Sequence, residues 1–277
     1  MSKAATSQQY GLALQDLALR FVSMAQALLI NHFKRITRFM TIPLPVDTSA
    51  ILQVQQLTKT VASGKSKLTI LHDLSLSVAH GASLAIVGSS GSGKSTLLGL
   101  LAGLDVASSG EIYLAGNALS GLSEDGRALL RAKTAGFVFQ SFQLLPDLTA
   151  LENVMLPLEL SDRADARLLA EQWLTKVGLS ERMQHTPRQL SGGEQQRVAL
   201  ALARAFAPGP AILFADEPTG SLDSATGLVI ADLLFTLNRE AGTTLVLVTH
   251  DETLAARCQS QLRLAAGRVV TAEGLAA

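Results

Sequence analysis

The chain has 277 residues, 48% of them hydrophobic, with 23 basic and 23 acidic side chains and a formal net charge of zero. That supplies a large buried core for one or two domains, and the balanced charge lacks the basic excess with which proteins hold nucleic acid, so no nucleic-acid partner is expected. The single cysteine, Cys258, cannot form an internal disulfide and reads as a small buried apolar residue. No apolar run reaches the roughly 20 residues that cross a bilayer as a helix.

In the first stretch of chain, Leu14, Leu17, Phe21, Met24 and Leu28 recur at three- and four-residue steps between Gln15, Arg20, Gln26, Lys34, Arg35 and Arg38. This predicts an amphipathic helix within Leu12–Met40. Two readings of it stand: a helix that docks on a surface or partner, and an upstream extension that is not translated, with Met40 as the start. Pro43 and Pro45 mark Thr41–Ser49 as a linker. Residues 1–49 are therefore expected to precede a folded domain over residues 50–277.

Alternating apolar positions in Ile51–Leu57 and Leu68–Val78 predict strands of a small antiparallel sheet. Apolar strand patterns follow at Ser83–Val87, Gly136–Phe139, Ala211–Ala215 and Thr244–Val248, interleaved with helical patterns at Arg163–Val177, Gln195–Phe206 and Ala225–Glu240. Strands alternating with helices imply a mainly parallel sheet with helices on its faces. No strong strand pattern lies between Gln140 and Leu190, which predicts a helical subdomain over about residues 141–190.

After the strand at Ser83–Val87 the chain reads Gly88, Ser89, Ser90, Gly91, Ser92, Gly93, Lys94, Ser95, Thr96, and then an apolar helix pattern from Leu97. This is G-x-x-x-x-G-K-S between a strand and a helix. Its glycines let backbone N–H groups converge on phosphate oxygens, and the helix start adds its positive dipole end. Lys94 would reach the outer phosphates and Ser95 would bind Mg²⁺.

The strand at Ala211–Ala215 runs into Asp216 and Glu217, paired acids at the sheet edge where ligands bind. Asp216 is expected to hold Mg²⁺, and Glu217 to act as general base or to position the attacking water. His250, at the end of Thr244–Val248, reaches the same edge and can hydrogen-bond a phosphate and the water. Gln140 closes Gly136–Phe139 with an amide able to touch metal or water. His32, His72, His80 and His185 read as structural or surface residues. Farther on, Leu190 precedes Ser191, Gly192, Gly193 and Glu194, with a helix expected from near Glu194, which makes a second anion site. Two separate anion sites invite a composite arrangement completed by another copy.

Together, Gly88–Thr96, Gln140, Leu190–Gln195, Asp216–Glu217, Ser221-Leu-Asp223 and His250 resemble the ATP-binding subunits of ABC transporters, over about Ile51 to Val270. The runs FVFQSFQLLPDLTALENV and ILFADEPTGSLD look most like the lipoprotein-releasing and macrolide-export group, its YbbA-type members above all. The resemblance implies an α/β P-loop NTPase core with a mainly parallel sheet, an antiparallel β subdomain and a helical subdomain. It further implies ATP and Mg²⁺ as ligands, and hydrolysis involving Glu217 and His250. A head-to-tail homodimer is also implied, in which Ser191 to Glu194 of one copy face the nucleotide on Lys94 of the other, with Asp223 crossing the interface. The implied partner is an integral-membrane permease with a large extracytoplasmic domain, docking near Gln140 and holding the ATPase at the cytoplasmic face of the inner membrane. An exported protein would be parted from cytosolic ATP, which disfavours a signal peptide at Phe21–Ile30.

Two alternatives within or beside the family are a soluble ABC ATPase without a transporter and an inert docking subunit. A single cassette without coiled-coil insertion opposes the first, and intact Lys94, Asp216, Glu217 and His250 oppose the second. The chain also departs from the family pattern twice. Val61 stands where an aromatic residue stacks on adenine, a contact worth about 1–3 kcal/mol, so weaker or less selective base binding is expected. Arg197–Arg204 is two residues longer than R-V-A-x-A-R through Leu200–Ala203. Two residues turn a helix by roughly 200° and lengthen it by about 3 Å, which predicts a bulge or loop to absorb them.

Overall fold

The computed structural model describes residues 49–64, 66–206 and 210–275. The amphipathic pattern of Leu12–Met40, the signal-peptide reading and the Pro43/Pro45 linker lie outside them. Strands β1 (Ala50–Ser63) and β2 (Ser66–Ala79) pair antiparallel and run beyond the stretches their alternation marks. The register slips between Val54 and Leu57 and again near Lys59, and Gln56 and Asp73 have φ of 50° and 45°. Each slip resets which side chains face inward, so a period of two does not persist along the whole hairpin. On the other side of β1 lies β4 (Ser109–Leu114), followed by the short β5 (Asn117–Ala118), in the order β2-β1-β4-β5.

The second sheet contains β3 (Ser83–Gly88), β6 (Ala135–Phe139), β7 (Ile212–Asp216), β8 (Thr244–Val248), β9 (Ser260–Ala265) and β10 (Arg268–Glu273), ordered β10-β9-β3-β8-β7-β6. All its pairings are parallel except β9 with β10. Its central strands are apolar at successive positions because both faces are covered. Leu84, Ile86, Phe214 and Val246 point into a core shared with β1, β2, β4 and helix α1 (Lys94–Leu101). Their neighbours Ala85, Val87, Leu213 and Leu247 point into a second core, under the helices that follow β6, β7 and β8. Cys258 is buried in that second core, as its composition-based reading expects, and burial pushes its thiol up to about 12.

Helix α2 (Glu124–Thr134) precedes β6, and α3 (Ala150–Leu160) and α4 (Ala166–Lys176) follow it. Between residues 141 and 190 the described chain has helices and 3₁₀ turns and no strand. Thr149 and Glu152 make a capping box that starts α3. The helical pattern at Arg163–Val177 begins only at Ala166, because the Arg163 guanidinium grips Asp165 at 2.8 Å through both Nε and Nη2 and holds the chain in a turn. Helix α5 (Gly192–Phe206) packs on α3 and α4, and α6 (Ser224–Ala241) and the short α7 (Glu252–Ala255) follow β7 and β8.

One expectation is corrected here, and a second in its first alternative alone. Helix α5 starts at Gly192 rather than near Glu194, since Ser191 and Glu194 form a capping box around its first turn: Glu194 Oε2 accepts from the Ser191 N–H at 2.9 Å, and Ser191 Oγ accepts from the Glu194 N–H at 3.3 Å. No bulge interrupts α5 from Gly192 to Phe206, and the loop that could instead absorb the two residues falls at 207–209, outside the described residues. The longer run stays helical because Val198, Ala199, Leu200 and Ala201, four successive positions, are all buried, so this turn is enclosed on every side and the added residues have a core to enter.

Candidate functional site

Four parallel strands end at one edge of the second sheet. Register places Ile86 beside Val248, Val248 beside Asp216, and Asp216 beside Phe139. The segments that follow these strands therefore meet: the loop after Gly88, His250, Glu217 and Gln140. Ser90, Gly91, Gly93, Lys94, Ser95, Thr96, Gln140, Glu217 and His250 line one cavity of about 440 Å³, together with Ile70 of β2.

The loop between β3 and α1 is shaped by close packing. At Gly88, φ is 154° and a Cβ would run into the Leu264 carbonyl oxygen of β9 while lying 2.7 Å from Ser92 Oγ. Lys94 is buried, and its Nζ donates to the carbonyls of Gly88 at 2.9 Å and Ser89 at 3.0 Å, which holds the ammonium across the loop with one donor to spare. No side chain caps the start of α1 at Gly93. Its first amides thus remain as donors for an anion.

Across the cavity, burial raises the Asp216 carboxyl above its ordinary value; a bond from Ser95 and the charge of Lys94 oppose the rise, and Glu217 adds to it. Asp216 Oδ1 and Ser92 Oγ are buried without a hydrogen-bond partner. A buried carboxylate oxygen left unpaired beside a serine hydroxyl fits a hard cation that prefers oxygen ligands. A buried hydroxyl unpaired within the glycine loop fits a phosphate oxygen.

Glu217 has φ of 48°, an uncommon conformation for a residue with a side chain. It is held there by its N–H donating to Val248 O at 2.9 Å and by its own carbonyl accepting from Gly220 N–H at 3.0 Å. The turn aims the carboxylate at His250, whose Nδ1 lies 2.6 Å from Glu217 Oε2. Gln140 is tied to the segment after Glu217, its carbonyl accepting from Ser221 Oγ at 3.2 Å.

Not every residue singled out in the sequence lines this cavity. Ser191, Gly192, Gly193 and Glu194 lie outside it at the start of α5, and Asp223 lies outside it as the cap of α6, accepting from Thr226 N–H at 3.0 Å. That bond holds the Asp223 carboxyl below the usual range, and the Ser191 N–H does the same for Glu194, aided by Ser191 Oγ and Arg182. Ile70 is the lining residue that sequence reasoning missed. In the run Leu68–Val78 it is one apolar strand residue among several, and only the approach of β2 to the phosphate loop distinguishes it.

Residues 71–220 match the family described as ABC transporter. The chain belongs to that family. It is an ATP-binding and ATP-hydrolysing cassette, with the family's α/β architecture. This cassette is 57% identical over 221 residues to the ABC transporter ATP-binding protein YbbA of Escherichia coli (strain K12), covering 79% of this chain and 96% of that protein. It is 48% identical over 227 residues to the lipoprotein-releasing system ATP-binding protein LolD of Xanthomonas axonopodis pv. citri (strain 306), covering 81% of this chain and 92% of that protein. Among solved structures, the ATP-binding cassette MJ0796, a dimer in a post-hydrolysis state bound to ADP and Pi, aligns with a TM-score of 0.73 at 40% identity. That alignment covers 82% of this chain and 99% of the other. The resemblance to the lipoprotein-releasing and YbbA-type group drawn from the motifs is borne out.

Proposed function

We propose that two copies of this cassette close head to tail on two ATP molecules and drive a separate membrane permease, and that residues 50–277 form the cassette with residues 1–49 ahead of it. The observation that carries this reading is the division of the anion-binding groups. Lys94, Ser95, Asp216, Glu217 and His250 gather at one cavity or its edge, while Ser191–Glu194 and Asp223 lie outside it on the same chain. A second copy, turned head to tail, brings its Ser191 and Gly193 to the phosphates held by Lys94. The cassette that resembles it at a TM-score of 0.73 is a dimer bound to ADP and Pi, which supports the same arrangement.

Ser95 and Asp216, with the Gln140 amide, would hold Mg²⁺, which supplies charge neutralisation on the phosphate oxygens. Lys94 and the first amides of α1 orient the triphosphate. Glu217, aimed by its left-handed backbone, takes a proton from the attacking water. His250 orients that carboxylate through Nδ1 and presents Nε2 toward the phosphate side. Closure of the second copy excludes water and completes the donor set, so binding energy is converted into movement and hydrolysis resets it.

The permease docks beside Gln140. Phe139, the residue before it, lines an adjoining apolar groove of about 450 Å³ with Leu104, Ala128, Phe137, Phe142 and Leu202. We assign to that groove a short helix of the permease with an apolar face, because Phe142 and Gln143 of the same groove continue the loop that carries Gln140. No helix among the described residues is long and apolar enough to cross a membrane. The permease, with its large extracytoplasmic domain, is the anchor that places the cassette at the cytoplasmic face of the inner membrane.

The test is Glu217→Gln in the purified chain. Loss of turnover with ATP-driven dimerisation retained is the expected result, and a turnover rate equal to wild type would overturn the role of Glu217.

A further inference from the structure

The C-terminal hairpin touches the nucleotide cavity at a place that none of the motif residues occupies. Ala265 and Arg268 pair across the β9–β10 turn, and the two residues between them, Ala266 and Gly267, have φ of 46° and 72°. A two-residue loop with both φ positive is the hairpin turn that matches strand twist. Its peptide groups then make two connections. The Gly267 N–H donates to the Ser92 carbonyl of the phosphate loop at 3.1 Å, and the Gly267 carbonyl accepts from the His72 N–H of β2 at 2.9 Å. A Cβ at position 267 would overlap the carbonyl oxygen of Ile70, the β2 residue that lines the cavity.

One end of the same hairpin also meets the beginning of the phosphate loop, where Gly88 pairs with Leu264. The phosphate loop is thus gripped near its start by Leu264 and near its end by Gly267. Gly267 bonds both the loop that faces the triphosphate and the strand that carries Ile70. It lies beyond residues 71–220, the stretch that matches the family.

We infer that Gly267 is a positioning residue for the nucleotide: its backbone sets the phosphate loop at Ser92 against β2 at Ile70, so that a ligand spanning both is held in register. This rests on the nucleotide reading of the cavity. A side chain at 267 meets the Ile70 carbonyl and pushes β2 away from the loop. Inorganic tripolyphosphate, which needs only the loop, then keeps its affinity, while ATP, which reaches toward Ile70 as well, loses it.

The test compares ATP and tripolyphosphate binding to the purified full chain carrying Gly267→Ala, with Gly274→Ala as a matched control. Gly274 sits at the other end of the hairpin with φ of 69°, and a Cβ there would lie 2.7 Å from the Gln259 carbonyl oxygen, a milder backbone clash away from the cavity. For Gly267→Ala, the Kd for ATP should rise about tenfold and that for tripolyphosphate less than about threefold, since small misplacements of a spanning ligand are costly. Gly274→Ala should change neither Kd beyond about twofold. An equal loss of both ligands in Gly267→Ala, no loss of either, or the same loss in Gly274→Ala would overturn the inference.

Should Gly267→Ala not fold, hydrogen exchange in the wild-type chain decides. Exchange of the Gly267 amide should slow at least about fivefold when ATP binds and that of Gly274 should not; an unchanged Gly267 rate would overturn the inference. Lys94→Ala separates this outcome from failure of the nucleotide reading, because a Lys94→Ala chain that binds ATP like wild type removes the site itself.

Discussion

His250 Nδ1 sits 2.6 Å from Glu217 Oε2, although the two residues leave separate parallel strands. An ionised carboxylate only accepts, so Nδ1 carries the proton and Nε2 is the atom left to meet phosphate or water. Glu217 is mostly covered at 19% side-chain exposure while His250 is open at 70%, so the imidazole guards the open side of the carboxylate. Replacing His250 with alanine frees that carboxylate to rotate. Turnover should fall about 100-fold, the lower range for losing an acid–base partner, with ATP affinity little changed. Steady-state ATPase measurements on His250→Ala check this, and a fall below threefold would contradict the pairing.

Asp216→Asn should abolish turnover yet raise the melting temperature at pH 7. Burial disfavours the charged carboxylate in the folded chain, so its pKa there exceeds the ordinary 3.8. Between the unfolded and folded values the native state binds more protons, and stability therefore falls as pH rises through the folded pKa. The wild-type chain carries this penalty at neutral pH, and asparagine does not. The gap in melting temperature between variant and wild type should narrow as pH falls through the raised folded value and close below 3.8, where the carboxyl is protonated in both the folded and the unfolded chain. A variant that melts lower than wild type at pH 7 without nucleotide would refute the argument.

Val61 of β1 faces Leu68 of β2 across the hairpin, on the same side as Ile70. Leu68 is 55% exposed, and Ile70 lines the cavity. Val61, Leu68 and Ile70 therefore make an aliphatic patch of this strand face. Val61→Tyr should tighten ATP binding about tenfold, within the energy of one base–aromatic stack. Competition between ATP and GTP should also show wild type discriminating poorly between them. Unchanged affinity in the variant would place the base elsewhere.

Ser191 commits its hydroxyl proton to Glu194, whose Oε2 lies 2.9 Å away, and Arg182 Nε also binds Glu194 at 3.1 Å. In glutamine the oxygen still accepts from the Ser191 N–H, so the cap on α5 is kept while the charge is lost. Glu194→Gln should free the Ser191 hydroxyl for a phosphate of the partner copy and remove a repelling carboxylate. Made in a Glu217→Gln background, it should shift ATP-driven dimerisation to about threefold lower protein concentration, as read by sedimentation. Weaker dimerisation would instead mean that the carboxylate itself organises the signature.

Elements with two covered faces or one regular stripe were legible in the sequence. Strands β3, β7 and β8 announce themselves as apolar runs because helices and the antiparallel sheet bury them from both sides. Strand β10 gave no such signal, being exposed at every residue, and α2 buries none of its side chains. Their boundaries come from pairing with β9 and from the Ser123 cap, whose Oγ accepts from Gly126 N–H. The same limit hid Ile70 and Gly267 from the site, since neither differs locally from other strand or turn residues.

What the sequence determined by itself was the local chemistry. The run from Gly88 to Thr96 contains its own turn, its own helix start and its own lysine, so a phosphate loop can be read without knowing what surrounds it. Asp216, Glu217 and His250 could likewise be assigned to a sheet edge, because each closes an apolar strand. Only the tertiary structure decided that Glu217 and His250 meet through one particular pair of atoms, and that Gly267 bonds Ser92 on one side and His72 on the other. Such contacts join segments far apart in the chain, and their geometry depends on strand order and register, which no local periodicity encodes.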